Sequence, residues 1–495
     1  MTAARLSART KFAYGLGALG EGIFSRGYEY FAFLYFVQIL GMDAWLGGIA
    51  MLISTLLDAL SDPVVGSLSD RFRSKYGRRH PFMYASALPL AVTWYLLLSP
   101  PGGLGSFDLF LWFTTFSILL RLSLTLYHVP HLALGAELTS DYLERTGVVT
   151  WRILLGLIGS FGLTALFTAL FFRETEAFPG NGLLNPAGYP QVALWGALLM
   201  LVSIGYSAWG TRDRIPFLPS ASPGTQPFSV AQMVSELGVG WRNPSFRALF
   251  LGTFLFVVAF SINEIFNQFL RIYFWGLTSG QIALLILPFG IGFLIALPLA
   301  RILHVRFDKK PTAVCTSLVP ASLSGALIVL QLLGALPESR AVIFNLLLAA
   351  ALVSGVCGAV ALISSQSMMA DVAQEIGHVS RRDLTGVLFA GVSFSQKVSS
   401  GIAHFLATVA LQLVAIPAKA APGSLTPDQI QWLGAAGLVA TFFSIGAAFC
   451  FLGYRIDRAR HSELTALARA EPGPLAQQAA AATAAAVPQG APAKI

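Results

Sequence analysis

Long apolar runs, each ended by a short polar segment, repeat along almost the whole chain. Runs of about 20 or more apolar residues have the length a helix needs to cross the hydrocarbon layer of a membrane. The pattern predicts twelve such helices, over residues 11–40, 44–69, 81–99, 107–136, 149–172, 191–210, 246–275, 279–303, 311–335, 341–371, 384–416 and 429–456. The expected fold class is an all-α polytopic membrane protein with twelve transmembrane helices. A segment rich in Pro, Ser and Gly, 211–245, separates six helices from six. The expected organisation is a first half over 1–210, a cytoplasmic central loop over 211–245 and a second half over 246–457. An Ala- and Pro-rich tail over 458–495 reads as low-complexity and disordered.

Composition agrees with the pattern: the 495 residues are 55% hydrophobic and only 11% charged, with a mean hydropathy of +0.68. A soluble chain carries roughly a quarter charged residues. The net charge of +8 does not indicate a nucleic-acid partner, because the basic residues form short clusters between apolar runs. Arg9 and Lys11 precede helix one, with Arg5; Arg71, Arg73, Lys75, Arg78 and Arg79 follow helix two; Arg306, Lys309 and Lys310 follow helix eight. Arg381 and Arg382 follow helix ten, and Arg455, Arg458 and Arg460 follow helix twelve. The opposite loops carry little positive charge, so the positive-inside rule puts both termini in the cytoplasm, for a bacterial inner membrane protein. The N-terminus lacks a short apolar core with a small-residue cleavage site, so the first run reads as a retained helix. Cys315, Cys357 and Cys450 all fall in apolar runs and read as small buried residues, not as a disulfide or metal site.

Two matches to known motifs dissolve in context. "GLGALG" at Gly15–Gly20 follows no strand and opens a membrane helix, so close helix packing explains it better than a dinucleotide. No G-x-x-x-x-G-K-[ST] is present, so ATP is not expected as the energy source. An intramembrane aspartic protease would bring its two carboxylates from separate helices, whereas Asp58 and Asp62 share one. No enzymatic activity and no cofactor are expected.

The chemistry lies in charges at membrane depth. Asp58 is 13 residues beyond Trp45, roughly 20 Å down the helix axis, and Asp62 is one turn further on the same face. Two such carboxylates cannot both stay ionised in a dry site without a cation, so one takes a proton or a metal ion or lysine sits between them. Lys397, about 13 residues into helix eleven, is the natural countercharge from the other half. The plainer alternative is a permanent buried ion-pair network. Helix four carries Arg121, Thr125, His128 and His131 on one broad face, helix one carries Glu21, Arg26 and Glu29, and helix seven carries Asn263, Glu264 and Asn267. Arg152 opens helix five. For Arg26 the expected partner is Glu29, one turn away. Asp70 with Arg71, Arg78 and Arg79 is expected to form a cytoplasmic gate latch that breaks on opening.

Weak internal symmetry supports a two-half design, since "GAELTSDYLERTGVVTWR" after helix four parallels "ADVAQEIGHVSRRDLTGVLFAGVSFSQK" after helix ten. Repeats of six helices are how many secondary transporters are built. These two segments, with "LDALSDPVVGSLSDRFRSKYGRRHPF", resemble the signature of the glycoside–pentoside–hexuronide cation symporters, the group that contains the melibiose permease. The resemblance covers residues 10–457 and implies a major-facilitator fold with alternating access. It implies a sugar, glycoside or hexuronide moved with Na⁺ or H⁺, by a monomer in contact with membrane lipid. On matching positions it implies Asp58 and Asp62 as cation carboxylates, binding the metal where Na⁺ is used, with Ser61 and Thr125 as neighbouring oxygens. Lys397 becomes the helix-eleven cation and Arg152 a sugar-contacting guanidinium. The sequence departs from the family pattern at His128 and at Gly22 beside Glu21, where carboxylates are usual, and at Ser61, where an amide is usual. With Arg121, His128, Arg152 and Lys397 facing inward, the cavity is expected to favour an anionic ligand such as a hexuronide, and Glu21 and Glu264 are the other expected substrate contacts. The alternatives are a cation-coupled symporter of a lysolipid or other amphipathic anion, and a non-transporting membrane sensor or assembly factor.

Overall fold

The computed structural model describes residues 6–139, 141–218, 230–380, 384–458 and 460–463. Twelve long helical rods dominate these residues, and no strand occurs among them. α1 is Ala8–Gly27, prolonged by two π-turns at Tyr28–Ala32 and Tyr35–Ile39. α2 is Ala44–Arg71, α3 His80–Leu97, α4 Ser106–Glu137, α5 Glu144–Phe171 and α6 Tyr189–Gly210. α7 is Pro244–Phe274, α8 Ser279–Phe307, α9 Lys309–Leu332, α10 Arg340–Ser380, α11 Thr385–Val414 and α12 Pro427–Leu452. Ten of the twelve are long and apolar enough to cross a membrane on composition alone. α1, with its charged residues, and the short α3 complete the bundle by packing, α1 against α5 and α6 and α3 against α4 and α6.

Three local outcomes differ from the sequence pattern. α10 continues nine residues past its expected end at 371 because the charged stretch after it is tied down as helix. Asp371 takes Lys309 Nζ at 2.8 and 2.6 Å, and Glu375, one turn on, accepts from Asn243 Nδ2 at 2.8 Å. The central segment contains a short helix, Val230–Trp241, that its composition did not announce. Cys315 is exposed, and Cys357 and Cys450 are only half-buried, all three as free thiols. An apolar run does not distinguish a lipid-facing position from a protein-facing one. The tail beyond 463 and the basic pair Arg381 and Arg382 lie outside the described residues.

The two six-helix halves meet tightly at one end of the bundle. There Gln38 Nε2 donates to Pro417 O at 2.8 Å, Ala44 N to Gln412 Oε1 at 3.0 Å, and Asn181 Nδ2 to Leu277 O at 2.9 Å. α2 and α11 approach closely because Gly48 has no side chain. A Cβ there would lie 3.0 Å from Phe405 Cα and collide with the Thr408 hydroxyl. Gly15 does the same within the first half, where a Cβ would stand 2.9 Å from the Trp151 backbone. That packing role is the one expected for the "GLGALG" glycines. At the opposite end, the termini-bearing end of the described residues where α1 begins and α12 finishes, the ionic clusters named here each stay within one half. Arg79 joins Asp70 at 2.8 Å and Glu137 at 2.7 Å, and Lys309 joins Asp371.

Candidate functional site

Lys397 of α11 reaches across the interface and places its ammonium between the two carboxylates of α2. Its Nζ is 2.7 Å from Asp58 Oδ2 and 2.6 Å from Asp62 Oδ2. The four-residue spacing on α2 makes this possible, since it stacks both acids on one helical face. Thr125 of α4 donates one hydroxyl proton between their other oxygens, 2.9 Å from Asp58 Oδ1 and 3.2 Å from Asp62 Oδ1. Ser61 Oγ lies 3.3 Å from Thr125 Oγ1 but spends its own donor on the Asp58 carbonyl at 3.0 Å. Arg121 adds a second cation, 3.7 Å from Asp58 Oδ2, with its guanidinium 5.0 Å from the centre of the Tyr28 ring. Two carboxylates therefore face two cations, one fixed within the first half and one borrowed from the second. Asp58 and Arg121 are buried, whereas Asp62 and Lys397 are each about 30% exposed in their side chains.

The same cavity holds a second constellation built on Glu21 of α1. Its carboxylate lies 3.3 Å from His128 Nδ1, 3.0 Å from His131 Nδ1 and 4.0 Å from Arg152 Nη2. His131 is fully buried and stacked between Tyr14 and Tyr127. Its Nε2 faces the Tyr14 carbonyl at 2.9 Å, so both ring nitrogens look at oxygen acceptors. Asp58, Asp62, Thr125, Glu21, His128, Arg152 and Lys397 line one cavity of about 430 Å³, with Phe24, Leu124, Ile153 and Leu157 as its apolar wall.

The other expected site residues fall elsewhere. Arg121 contacts Asp58 and is absent from the cavity lining. Glu264 binds Arg26 across the two halves and lines a separate pocket with Asn263, Asn267 and Arg271. The expected Arg26–Glu29 pair is not formed. The π-turn beginning at Tyr28 changes the angular step of α1, so Glu29 turns toward His404, 4.0 Å away, and Arg26 is left to Glu264. Arg26 is further held over the rings of Phe161 and Phe289, 5.3 and 5.8 Å from their centres. No local sequence signal announces this cross-half pair, since its members are on α1 and α7. At the termini-bearing end, Arg79 and Arg78 join Asp70 and Glu137 inside the first half, and Arg71 has no partner among the described residues. In this arrangement the basic cluster ties α2 to α4 and does not bridge the halves.

Twelve rods in two halves, sealed at one end, with an ionic cavity between them, define a membrane transporter of the major-facilitator fold. The chain belongs to the MFS/sugar transport protein family, whose sequence model matches residues 13–458. It is 24% identical to the inner membrane symporter YicJ of Escherichia coli strain K12, over 93% of this chain and 93% of that one. It is likewise 24% identical to the sphingosine-1-phosphate transporter MFSD2B of Mus musculus, over 84% of this chain and 83% of the relative. Among solved structures, the nucleoside transporter NupG superposes with a TM-score of 0.60 at 13% identity, covering 90% of this chain and 99% of that one.

Proposed function

We propose that this protein is a cation-coupled symporter that moves an acidic sugar or glycoside, such as a hexuronide, by alternating access. The observation that carries the reading is the Lys397 ammonium lodged between Asp58 and Asp62 at 2.7 and 2.6 Å. A monovalent cation entering from the open end would find two carboxylate oxygens and the Thr125 and Ser61 hydroxyls, a donor set suited to Na⁺ or to a proton. Because Arg121 stays beside Asp58, release of Lys397 leaves a net charge of minus one, which a single cation neutralises. Cation binding and the contact between halves thus compete for the same oxygens, and that competition is a means of coupling. With the arginine-rich end in the cytoplasm of an inner membrane, the arrangement is an inward-facing monomer.

Substrate would occupy the cavity beside Glu21, His128 and Arg152. These groups can accept and donate hydrogen bonds to sugar hydroxyls, and Arg152 with Lys397 suits a carboxylate. Among the described lining residues there is no Trp or Tyr, so aromatic stacking on a sugar ring is left to Phe24 and charged and polar contacts predominate. A second reading is transport of an amphipathic anion, supported by the Phe24, Leu124, Ile153 and Leu157 wall and by the family's reach to a sphingosine-1-phosphate transporter.

A thermal-shift screen of purified protein against neutral sugars, hexuronides and lysolipids, with and without Na⁺ and at two pH values, tests ion and cargo together. The expected result is a shift with hexuronide that depends on Na⁺ or pH. Equal shifts from neutral and acidic glycosides would remove the anionic-sugar reading, and a shift confined to lysolipids would transfer it to the second. A membrane sensor would keep its phenotype in Asp58→Asn, whereas coupled transport predicts its loss.

A further inference from the structure

α8 ends on the termini-bearing side in an open hollow remote from the ionic cavity. The hollow measures about 460 Å³ and is walled by the last turns of α8, by α10 and by the segment following α12. Leu297, Val305 and Ile363 make its apolar side, and Leu297 and Val305 are 44% and 67% exposed. Leu297 lies 18 residues beyond Ser279, roughly 27 Å along the helix and so at the depth of the acyl chains. Its polar edge is Arg301, Lys309, Arg458 and Ser367. Arg301 lies 22 residues beyond Ser279, roughly 33 Å along the helix, beyond a hydrocarbon core about 30 Å thick and so at headgroup depth.

The charges of this edge are unequally occupied. Lys309 is held by both oxygens of Asp371. Arg458 donates to the His304 and Val305 carbonyls that end α8, and its Nε is 4.0 Å from Asp308. Arg301 and the Ser367 hydroxyl have no hydrogen-bond or ion-pair partner among the described residues. Three cations against Asp308 and Asp371 leave one positive charge, and Arg301 is the one without a carboxylate.

We propose that this hollow seats an anionic glycerophospholipid, with the phosphodiester on Arg301 and Ser367 and an acyl chain along Leu297 and Ile363. A phosphodiester brings the single negative charge the hollow lacks, and guanidinium is the side chain best matched to its paired oxygens. Basic pockets between helices at this depth are recognised lipid seats. Free phosphate shares the oxyanion chemistry but leaves the apolar wall uncovered. The seat belongs wholly to the second half, so its occupancy is independent of the symport reading.

The full-length protein in neutral detergent is titrated with phosphatidylglycerol, phosphatidylcholine or inorganic phosphate, and binding is read by native mass spectrometry and thermal shift. Phosphatidylglycerol is expected to bind and stabilise, with affinity falling about fivefold in Arg301→Gln. Arg306→Gln, an exposed arginine on the same helix outside the hollow, is the control and should bind as the unaltered protein does. Equal losses in both variants reduce the effect to general surface charge and overturn the proposal. It is also overturned by equal binding of phosphatidylcholine, or by inorganic phosphate reproducing the shift.

Discussion

Asp62 and Thr125 differ from Asp58 in what they can release. Asp58 keeps Arg121 as a neighbour whether or not Lys397 is present, while Asp62 has only the borrowed amine and the Thr125 hydroxyl. Asp62→Asn is therefore expected to abolish cation dependence of ligand binding while leaving the protein folded, measured as loss of the ion-dependent thermal shift. Thr125→Val removes a neutral donor shared by two carboxylates. It should weaken cation affinity about tenfold, in line with roughly 1.5 kcal/mol for a hydrogen bond to a charged group. Titrating ligand binding against Na⁺ and H⁺ checks this, and an unchanged cation midpoint would remove Thr125 from the site. At this scale the sequence was informative where spacing alone decided the outcome. Asp58, Asp62 and Lys397 could be placed at mid-membrane by counting residues. Arg26 could not, because its partner depends on a π-turn and on a helix 238 positions from Arg26 in the chain (Glu264).

At the scale of elements, α2 and α11 are held together by small residues at one end and by the lysine bridge at mid-depth. Gly48→Val should prevent the close approach at Phe405 and Thr408 and hold the sealed end ajar. Transport would fall strongly while expression and substrate affinity change little, and a cysteine placed at Gln412 would gain reactivity toward a water-soluble thiol reagent. Loss of the folded protein in place of that gain would show the contact to be structural only. On the termini-bearing end, Glu137 holds two arginines at 2.6 and 2.7 Å. Glu137→Gln leaves buried guanidinium charge short of a carboxylate, a change that costs about 3–5 kcal/mol when a buried pair is broken. A lowered unfolding midpoint with unaltered cation affinity is the expected result. The rods themselves were legible from hydropathy. Their extensions were not, since α10 gains its last turns from Asp371 and Glu375 meeting partners on α9 and before α7.

For the whole molecule, the two-half plan could be read from the central polar segment and the paired loops, but the side on which the halves close could not. That depends on contacts such as Gln38 with Pro417 and Asn181 with Leu277, which join loops with no shared motif. The cation–π and ionic hold on Arg26 spans the halves between the ionic cavity and the α7 pocket. Any rocking motion that separates the halves there has to strip that guanidinium of the Glu264 carboxylate and the Phe289 face, leaving it only Phe161 of its own half. Such a clasp loads that stroke with an activation step. The carrier should then dwell in the conformation described here, and its turnover should be paced by the stroke that exposes Arg26 to water.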